Sequence, residues 1–271
     1  MKIADIRAEN KDIRYECDEI ICHVLNTDRA GLLMRLYTDL KEDQYKRVML
    51  GLTCLKSGEP LQYILKKAPF FNRDFYVEDG VLIPRYDTEC LITAALDALK
   101  GKSTFADVCC GSGCIGITLL CENEALFGTL LDISPKALKV SGINSERFGV
   151  EKRCNISHFD VMQRAFWDTL GKFDVILSNP PYIPSGDIPT LSKTVLREPV
   201  IALDGGEDGM DFYKKIIEYS TGHFNDGVNI IFEIGYDEGE KIRSVASSFG
   251  LLCEIRRDLN GCDRVALLNE R

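Results

Sequence analysis

The chain has 271 residues, of which 45% are hydrophobic and 28% are charged, a balance that supports a folded core and excludes a compositionally disordered protein. Its longest stretch without a charge, Val108 to Cys121, is shorter than the roughly 20 apolar residues of a membrane-spanning helix. The net charge is −9 and the basic residues form no cluster, so direct binding to nucleic acid is not expected.

The N-terminal residues mix acids and bases without an apolar signal segment, so we expect a cytoplasmic protein. The 11 cysteines form no CxxC pair and no Cys/His cluster with the spacing of zinc ligands. We therefore expect mostly reduced thiols and no metal site.

The first part of the chain has the pattern of short amphipathic helices. Apolar residues recur at helical spacing in 21–25 and again in 32–40. Polar and turn-forming residues interrupt this pattern at 26–28 and at 56–60. We predict a small helical domain over residues 1–72.

A β-hairpin is predicted next, because Asp79-Gly80 lies between two runs of aromatic and β-branched residues. This hairpin, over residues 73–84, would link the helical domain to a second domain over 85–271. A helix should begin near Asp87, where an acidic, cap-forming segment precedes an apolar run.

From Thr104 onward, apolar strands alternate with helices, which predicts an α/β fold with a mostly parallel, doubly wound, Rossmann-like sheet. Asn260-Gly261 lies between two further strand patterns, so the sheet should end in an antiparallel hairpin. The predicted parallel strands are Thr104–Cys109, Phe127–Asp132, Cys154–Phe159, Phe173–Ser178 and Val228–Ile234.

A glycine-rich loop joins the first of these strands to a helix. Gly111, Gly113 and Gly116 form the pattern G-x-G-x-x-G, which lets the backbone approach a ligand at a helix N-terminus. The pattern alone does not separate a dinucleotide from another adenosine cofactor. Asp132 ends the next strand, 21 residues after Gly111, where a carboxylate can accept both ribose hydroxyl protons. Asp160 follows the third strand, near the expected adenine position.

The segment Asn179-Pro-Pro-Tyr182 follows the fourth strand. Its prolines fix φ and remove N–H donors, which leaves a rigid segment with outward-facing acceptors. The Pro180 carbonyl and the Asn179 side-chain oxygen can accept both N–H groups of one planar amide, with Tyr182 against its flat face. Such a site suits methylation of a conjugated nitrogen, because the acceptors stabilise the positive charge that develops there. S-adenosylmethionine fits this chemistry better than a nicotinamide does.

With these motifs, the chain resembles the HemK/PrmC family of release factor glutamine N5-methyltransferases over nearly its whole length. Asn-Pro-Pro-Tyr alone is shared with adenine and RNA methyltransferases, so the resemblance rests on the joint pattern. The other matching segments are Gly58–Ile64, Val81–Glu89, Glu198–Pro199, Ala202–Gly209 and Glu233–Gly235.

The resemblance implies a class I methyltransferase domain that binds S-adenosylmethionine, and a helical N-terminal domain that helps to recognise the protein substrate. The family methylates the glutamine of the Gly-Gly-Gln motif in peptide chain release factors. The implied cofactor-binding residues are Cys109, Cys110, Gly111, Ser112, Gly113, Asp132, Asp160, Val161 and Asn179. The glutamine amide would contact Asn179, Pro180, Pro181 and Tyr182, among which Asn179, Pro180 and Tyr182 would be catalytic.

Two residues depart from the family pattern. Cys109 replaces a frequent glycine, and Tyr86 replaces a frequent proline. Because a non-glycine residue adopts positive φ reluctantly, we expect an ordinary negative φ at Cys109.

Four other functions stay open at this point. A related enzyme could act on a ribosomal-protein glutamine, and an adenine methyltransferase would share Asn179–Tyr182. The glycine pattern also permits an NAD-dependent oxidoreductase, which would leave Asn179–Tyr182 without a role. The fourth is a non-enzymatic adaptor, which the intact motifs disfavour.

Overall fold

The computed structural model describes residues 1–270, and its N-terminal unit is helical. The helices are α1 Ile3–Glu9, α2 Arg14–Leu25, α3 Arg29–Met34, α4 Glu42–Lys56 and α5 Leu61–Leu65. The predicted break after α2 is confirmed, because Asn26 has a φ of 49° and Asp28 caps α3 by accepting from the Gly31 N–H at 2.7 Å. This unit comprises Met1–Lys67 and also Lys193–Arg197, which returns to it later in the chain.

A short antiparallel hairpin opens the second unit, which contains the rest of the described chain. Its strands are β1 Ala68–Phe70 and β2 Arg73–Phe75. The turn is formed by Phe71 and Asn72, with φ values of 46° and 58°, as a tight two-residue hairpin requires. The prediction of strands flanking Asp79-Gly80 is wrong, since that pair forms a turn without flanking strands. The Phe71 N–H donates to the Glu89 carboxylate at 2.8 Å, a tertiary contact that local turn preference does not encode.

The second unit is built around a seven-stranded sheet in the order β5-β4-β3-β6-β7-β9-β8. The parallel strands are β3 Thr104–Val108, β4 Phe127–Asp132, β5 Cys154–His158, β6 Val175–Ser178 and β7 Asn229–Glu233. The last two, β8 Leu252–Arg257 and β9 Asp263–Asn269, form an antiparallel hairpin whose β9 pairs with β7. The predicted mostly parallel sheet with an antiparallel end is therefore confirmed.

Along the chain, one helix precedes the first strand of this sheet and the others lie between successive strands. They are α6 Glu89–Ala98, α7 Cys114–Glu122, α8 Pro135–Arg147, α9 Arg164–Trp167, α10 Asp211–Ser220 and α11 Gly239–Ser248. Two apolar clusters of buried side chains pack with the sheet. Among residues 1–270, no helix has the length and apolar character needed to cross a membrane.

The order of the strands reverses between β3 and β6, because the chain moves outward from β3 to β5 and then returns to β6 on the other side. In doubly wound folds, ligands bind at the carboxyl ends of the strands beside such a switch point. The carboxyl ends of β3, β4, β6 and β7 carry the glycine-rich loop, Asp132, Asn179 and Glu233, respectively.

Candidate active site

The glycine-rich loop leaves β3 and enters α7 with three residues in the left-handed region. Gly111 and Gly113 have φ values of 56° and 76°, and Cys109 has a φ of 62°. The expectation of an ordinary φ at Cys109 is therefore wrong. The neighbouring residue helps to maintain the strained backbone at Cys109. The Cys110 N–H donates to the Leu131 carbonyl at 3.1 Å and so anchors the loop to β4.

Side chains of α8 fix the rest of the loop. The Ser141 hydroxyl donates to the Gly111 carbonyl at 2.8 Å, and the Asn144 amide donates to the Ser112 carbonyl at 2.9 Å. These two contacts hold carbonyl groups of the loop toward α8. The sequence did not indicate either contact, because neither side chain belongs to a recognised motif.

Gly116 has a packing role. A β-carbon at this position would lie 2.7 Å from a Leu130 methyl group and 3.0 Å from the Asp107 carboxylate. The Gly116 N–H donates to that carboxylate at 2.9 Å. The third glycine of the pattern thus lets α7 approach the sheet closely.

Asp132 lies at the centre of the loop region. One carboxylate oxygen accepts from the Gly111 N–H and the other from the Ser134 N–H, both at 2.8 Å. Desolvation raises the pKa of Asp132, while these backbone hydrogen bonds act in the opposite direction. Each oxygen keeps a further lone pair, so the oriented carboxylate can still accept hydroxyl protons from a ligand.

A cavity of about 330 Å³ brings most of the predicted site residues together. Its wall includes Cys109, Cys110, Gly111, Ser112, Asp132, Asp160, Val161, Asn179 and Pro181. Gly113, Pro180 and Tyr182 are not among the lining residues. The wall also includes apolar side chains to which the sequence analysis assigned no role, namely Ile83, Ile133, Ile201 and Phe212.

Asp160 and Val161 form one side of this cavity at the end of β5. The Asp160 carboxylate accepts from the Met162 N–H at 3.0 Å and also from the Gln163 side chain. The indole N–H of Trp167 donates to the Val161 carbonyl at 3.0 Å. These contacts hold both residues in a defined turn, beside the apolar wall.

The Asn179–Tyr182 segment is fixed from the opposite side by the loop that contains Ala202–Gly209. The Ile183 N–H donates to the Leu203 carbonyl and the Gly205 N–H donates to the Ile183 carbonyl, both at 2.9 Å. The Asn179 side-chain amide donates to the Thr88 hydroxyl at 3.4 Å. The segment is therefore held by main-chain pairing, with Asn179 directed by a side chain that precedes α6.

Tyr182 is half-buried, and its hydroxyl faces a buried acidic group. Desolvation raises the pKa of Tyr182, and the nearby Glu233 carboxylate adds to this effect. Desolvation likewise raises the pKa of Glu233 to about 7, while hydrogen bonding by Thr88 and Tyr182 acts in the opposite direction. The motif Glu233–Gly235 was noticed in the sequence without a role, and Thr88 was not predicted to be a site residue.

Glu198, the other acid without an assigned role, supports the cavity wall. It accepts from the Ile83 N–H at 2.9 Å and pairs with the Arg85 guanidinium. Its side chain is buried, whereas that of Arg85 is 40% exposed. Glu198 therefore fixes the segment that carries Ile83 and Arg85 along the cavity.

The fold agrees with comparisons to known proteins. A family model for the methyltransferase small domain matches residues 87–206, and one for the PrmC N-terminal domain matches residues 7–65. A solved methyltransferase from Pyrococcus furiosus superposes with a TM-score of 0.53 at 15% identity, covering 84% of this chain and 98% of that one. The chain thus has the fold of a class I methyltransferase.

Curated relatives give the family. The release factor glutamine methyltransferase of Clostridium acetobutylicum is 36% identical over 273 residues, which cover 98% of this chain and 95% of that protein. That of Bacillus cereus is 37% identical over 254 residues, covering 91% and 89%. The chain belongs to the release factor glutamine methyltransferase family, as its motifs indicated.

Proposed function

We propose that this protein transfers a methyl group from S-adenosylmethionine to the side-chain amide nitrogen of the glutamine in the Gly-Gly-Gln motif of peptide chain release factors. The observation that supports this most directly is that Asn179 lines the same cavity as Asp132 and the glycine-rich loop. An amide held at Asn179 would lie beside a cofactor held at Asp132.

The residues present fit S-adenosylmethionine. The Asp132 carboxylate is oriented by two backbone N–H groups and retains acceptor capacity, as ribose hydroxyls need. The cavity wall beside Asp160 is largely apolar, as an adenine ring needs. The loop from Cys109 to Gly113 would hold the methionine part near the N-terminus of α7.

When bound, the cofactor supplies an electrophilic methyl group. The chain's own residues hold the acceptor nitrogen: the Asn179 oxygen and the Pro180 carbonyl would each accept one N–H of the glutamine amide. These contacts direct the nitrogen and stabilise the positive charge that develops on it. Pro181 lines the cavity, and Tyr182 would limit rotation of the amide plane. No strong base is needed before attack. Afterwards the nitrogen releases one proton to solvent, and S-adenosylhomocysteine would leave as the product.

The substrate class follows from the family, whose curated members are named for release factors. We assign recognition of the protein substrate to the helical domain predicted over 1–72, which contains the match to the PrmC N-terminal domain. Residues 73–84 would link it along the chain to the catalytic domain, 85–271. The reaction would take place in the cytoplasm and modulate translation termination.

Mass spectrometry of a release factor incubated with the purified protein and S-adenosylmethionine tests the proposal. We expect one added methyl group on the motif glutamine, and none when that glutamine is replaced by alanine. The Asn179→Ala variant should bind the cofactor yet transfer at a rate reduced about 100- to 1,000-fold, the usual cost of losing a preorganised polar contact. Methylation of a ribosomal protein instead would refute the release factor assignment.

A further inference from the structure

Residues 76–85 form a strap, which continues from β2 toward α6 without a helix or a strand of its own. Six consecutive residues of this strap, 80–85, line the cavity to which the glycine-rich loop and Asp132 also contribute. Because the strap belongs to no ladder of main-chain hydrogen bonds, its position depends on contacts with other parts of the second unit. The contacts that fix the strap therefore also set the shape of the cavity.

Asn144, a residue of α8, holds the beginning of the strap. Its Oδ1 atom accepts from the Tyr76 N–H at 2.7 Å, and its Nδ2 atom donates to the Tyr76 carbonyl at 3.0 Å. The side chain thus pairs with both main-chain groups of one residue, as a neighbouring β-strand would. Asn144 is 0% exposed, so water does not compete for its side-chain amide.

The same amide also bonds to the glycine-rich loop. Nδ2 donates to the Ser112 carbonyl at 2.9 Å. An asparagine amide has two donors, and here one serves the strap and the other serves the loop. Ser112 lines the cavity, and its buried Oγ atom has no hydrogen-bond partner within residues 1–270. By fixing the main chain of Ser112, Asn144 also fixes the origin of a hydroxyl group that a ligand can use.

Two other side chains hold either the strap or the loop. The Glu198 carboxylate accepts from the Ile83 N–H at 2.9 Å and holds the far end of the strap. The Ser141 hydroxyl donates to the Gly111 carbonyl at 2.8 Å and holds the loop. Asn144 differs from both, because its hydrogen bonds reach the strap and the loop at once.

We propose that Asn144 is a positioning residue for cofactor binding: one amide holds Tyr76 and Ser112 and so keeps the strap and the loop in the arrangement that S-adenosylmethionine binds. Without this amide, only a fraction of the molecules would have that arrangement, and the apparent dissociation constant would rise by the inverse of that fraction. Saturating cofactor would restore the arrangement, so kcat would change little. The inference rests on the proposed function for the identity of the cofactor, whereas the connection between strap and loop is a property of the free protein.

Four variants of α8 separate this role from general stability. Asn144→Ala removes all three hydrogen bonds. Asn144→Asp, when ionised, keeps the acceptor for the Tyr76 N–H but has no donor. Ser141→Ala releases a contact of the loop alone. Ser145→Ala is the matched control, because the buried Ser145 hydroxyl donates within the helix, to the Gly142 carbonyl at 2.8 Å.

We expect Asn144→Ala and Asn144→Asp each to raise the dissociation constant for S-adenosylmethionine roughly 10- to 100-fold by calorimetry, as a competent fraction of about 1–10% would. Their kcat for a release factor at saturating cofactor should stay within about threefold of wild type. Ser145→Ala should keep both quantities within about threefold of wild type. An unchanged dissociation constant in the Asn144 variants, or a loss of kcat as large as the loss of affinity, would overturn the inference.

Hydrogen exchange read by mass spectrometry tests the connection without a release factor. In wild type, S-adenosylmethionine should slow exchange in peptides from residues 76–85 and 109–113. Without cofactor, Asn144→Ala should speed exchange about tenfold or more in both peptides, Ser141→Ala only in 109–113, and Ser145→Ala in neither.

These rates also distinguish failure of this inference from failure of the proposed function. If wild type binds S-adenosylmethionine but methylates no release factor, the proposed function fails, while the affinities and exchange rates still decide the role of Asn144. Exchange of residues 76–85 that is unchanged by the cofactor in wild type, or unchanged in Asn144→Ala, would refute that role.

Discussion

Gly205 packs directly on the Asn-Pro-Pro-Tyr segment. A β-carbon at position 205 would lie 2.8 Å from the Pro181 carbonyl oxygen and 2.7 Å from the Tyr182 Cα atom. Both atoms belong to the main chain, so the contact cannot be relieved by rotating a side chain. The close approach matters because the same loop pairs with Ile183 through its backbone.

Gly205→Ala should therefore displace the Asn179–Tyr182 segment and lower kcat at least tenfold, because the acceptors would move relative to the amide nitrogen. Overpacking of this kind typically costs about 1–3 kcal/mol of stability, which chemical denaturation can measure. Gly186→Ala is the control, since no atom lies within 4 Å of its added carbon. Equal activity of the two variants would show that the segment tolerates displacement.

Asp132→Asn should weaken cofactor binding while leaving the fold intact. The new amino group cannot accept from the Gly111 or Ser134 N–H, or from a ribose hydroxyl. A hydrogen bond to a charged group is worth about 1.5–3 kcal/mol, so the dissociation constant for S-adenosylmethionine should rise roughly 10- to 100-fold by calorimetry. Asp187→Asn, outside the cavity wall, should leave that constant unchanged. An unaltered affinity in Asp132→Asn would remove Asp132 from the cofactor site.

Cys109 carries backbone strain that a glycine would not. Its φ of 62° lies in the left-handed region, which costs an ordinary residue roughly 1–2 kcal/mol. Cys109→Ala removes the thiol but keeps the strain, whereas Cys109→Gly removes both. We expect the glycine variant to exceed the alanine variant in free energy of unfolding by about 1 kcal/mol, after the entropic cost of glycine is included. Equal stability would show that the surrounding contacts absorb the strain.

The sequence predicted the features that depend on local patterns. The central parallel strands β3, β6 and β7 could be predicted because nearly all their residues are buried and form apolar runs. Asp132 and Asn179 could be predicted because they stand at the ends of predicted strands. The hairpin was misplaced because Phe71 adopts a turn conformation held by a tertiary contact. Thr88 was missed for a related reason: its hydrogen-bond partner Asn179 lies far away in sequence.

Asp107 gives the protein a pH dependence that can be measured without any substrate. It is fully buried beside the glycine-rich loop, and its Oδ1 atom has no hydrogen-bond partner within residues 1–270. Desolvation raises its pKa to about 7, and the nearby Asp132 adds to this, whereas the Gly116 N–H acts in the opposite direction. In the unfolded chain the pKa of this group returns to about 3.9.

Between these two pKa values the folded state binds a proton that the unfolded state does not. The contribution of Asp107 to stability is therefore present at low pH and is lost as the pH rises through about 7. Asp107→Asn does not titrate, so its free energy of unfolding relative to wild type should increase from pH 5 to pH 8, by up to about 3 kcal/mol.

Asp174→Asn is the control for this prediction. Desolvation opposes the shift, but hydrogen bonds, first from Asn225, lower the pKa of Asp174 to about 2. The difference in free energy of unfolding between Asp174→Asn and wild type should therefore stay constant from pH 5 to pH 8. Urea denaturation at several pH values measures both differences, and a flat profile for Asp107→Asn would show that Asp107 stays ionised in the folded protein.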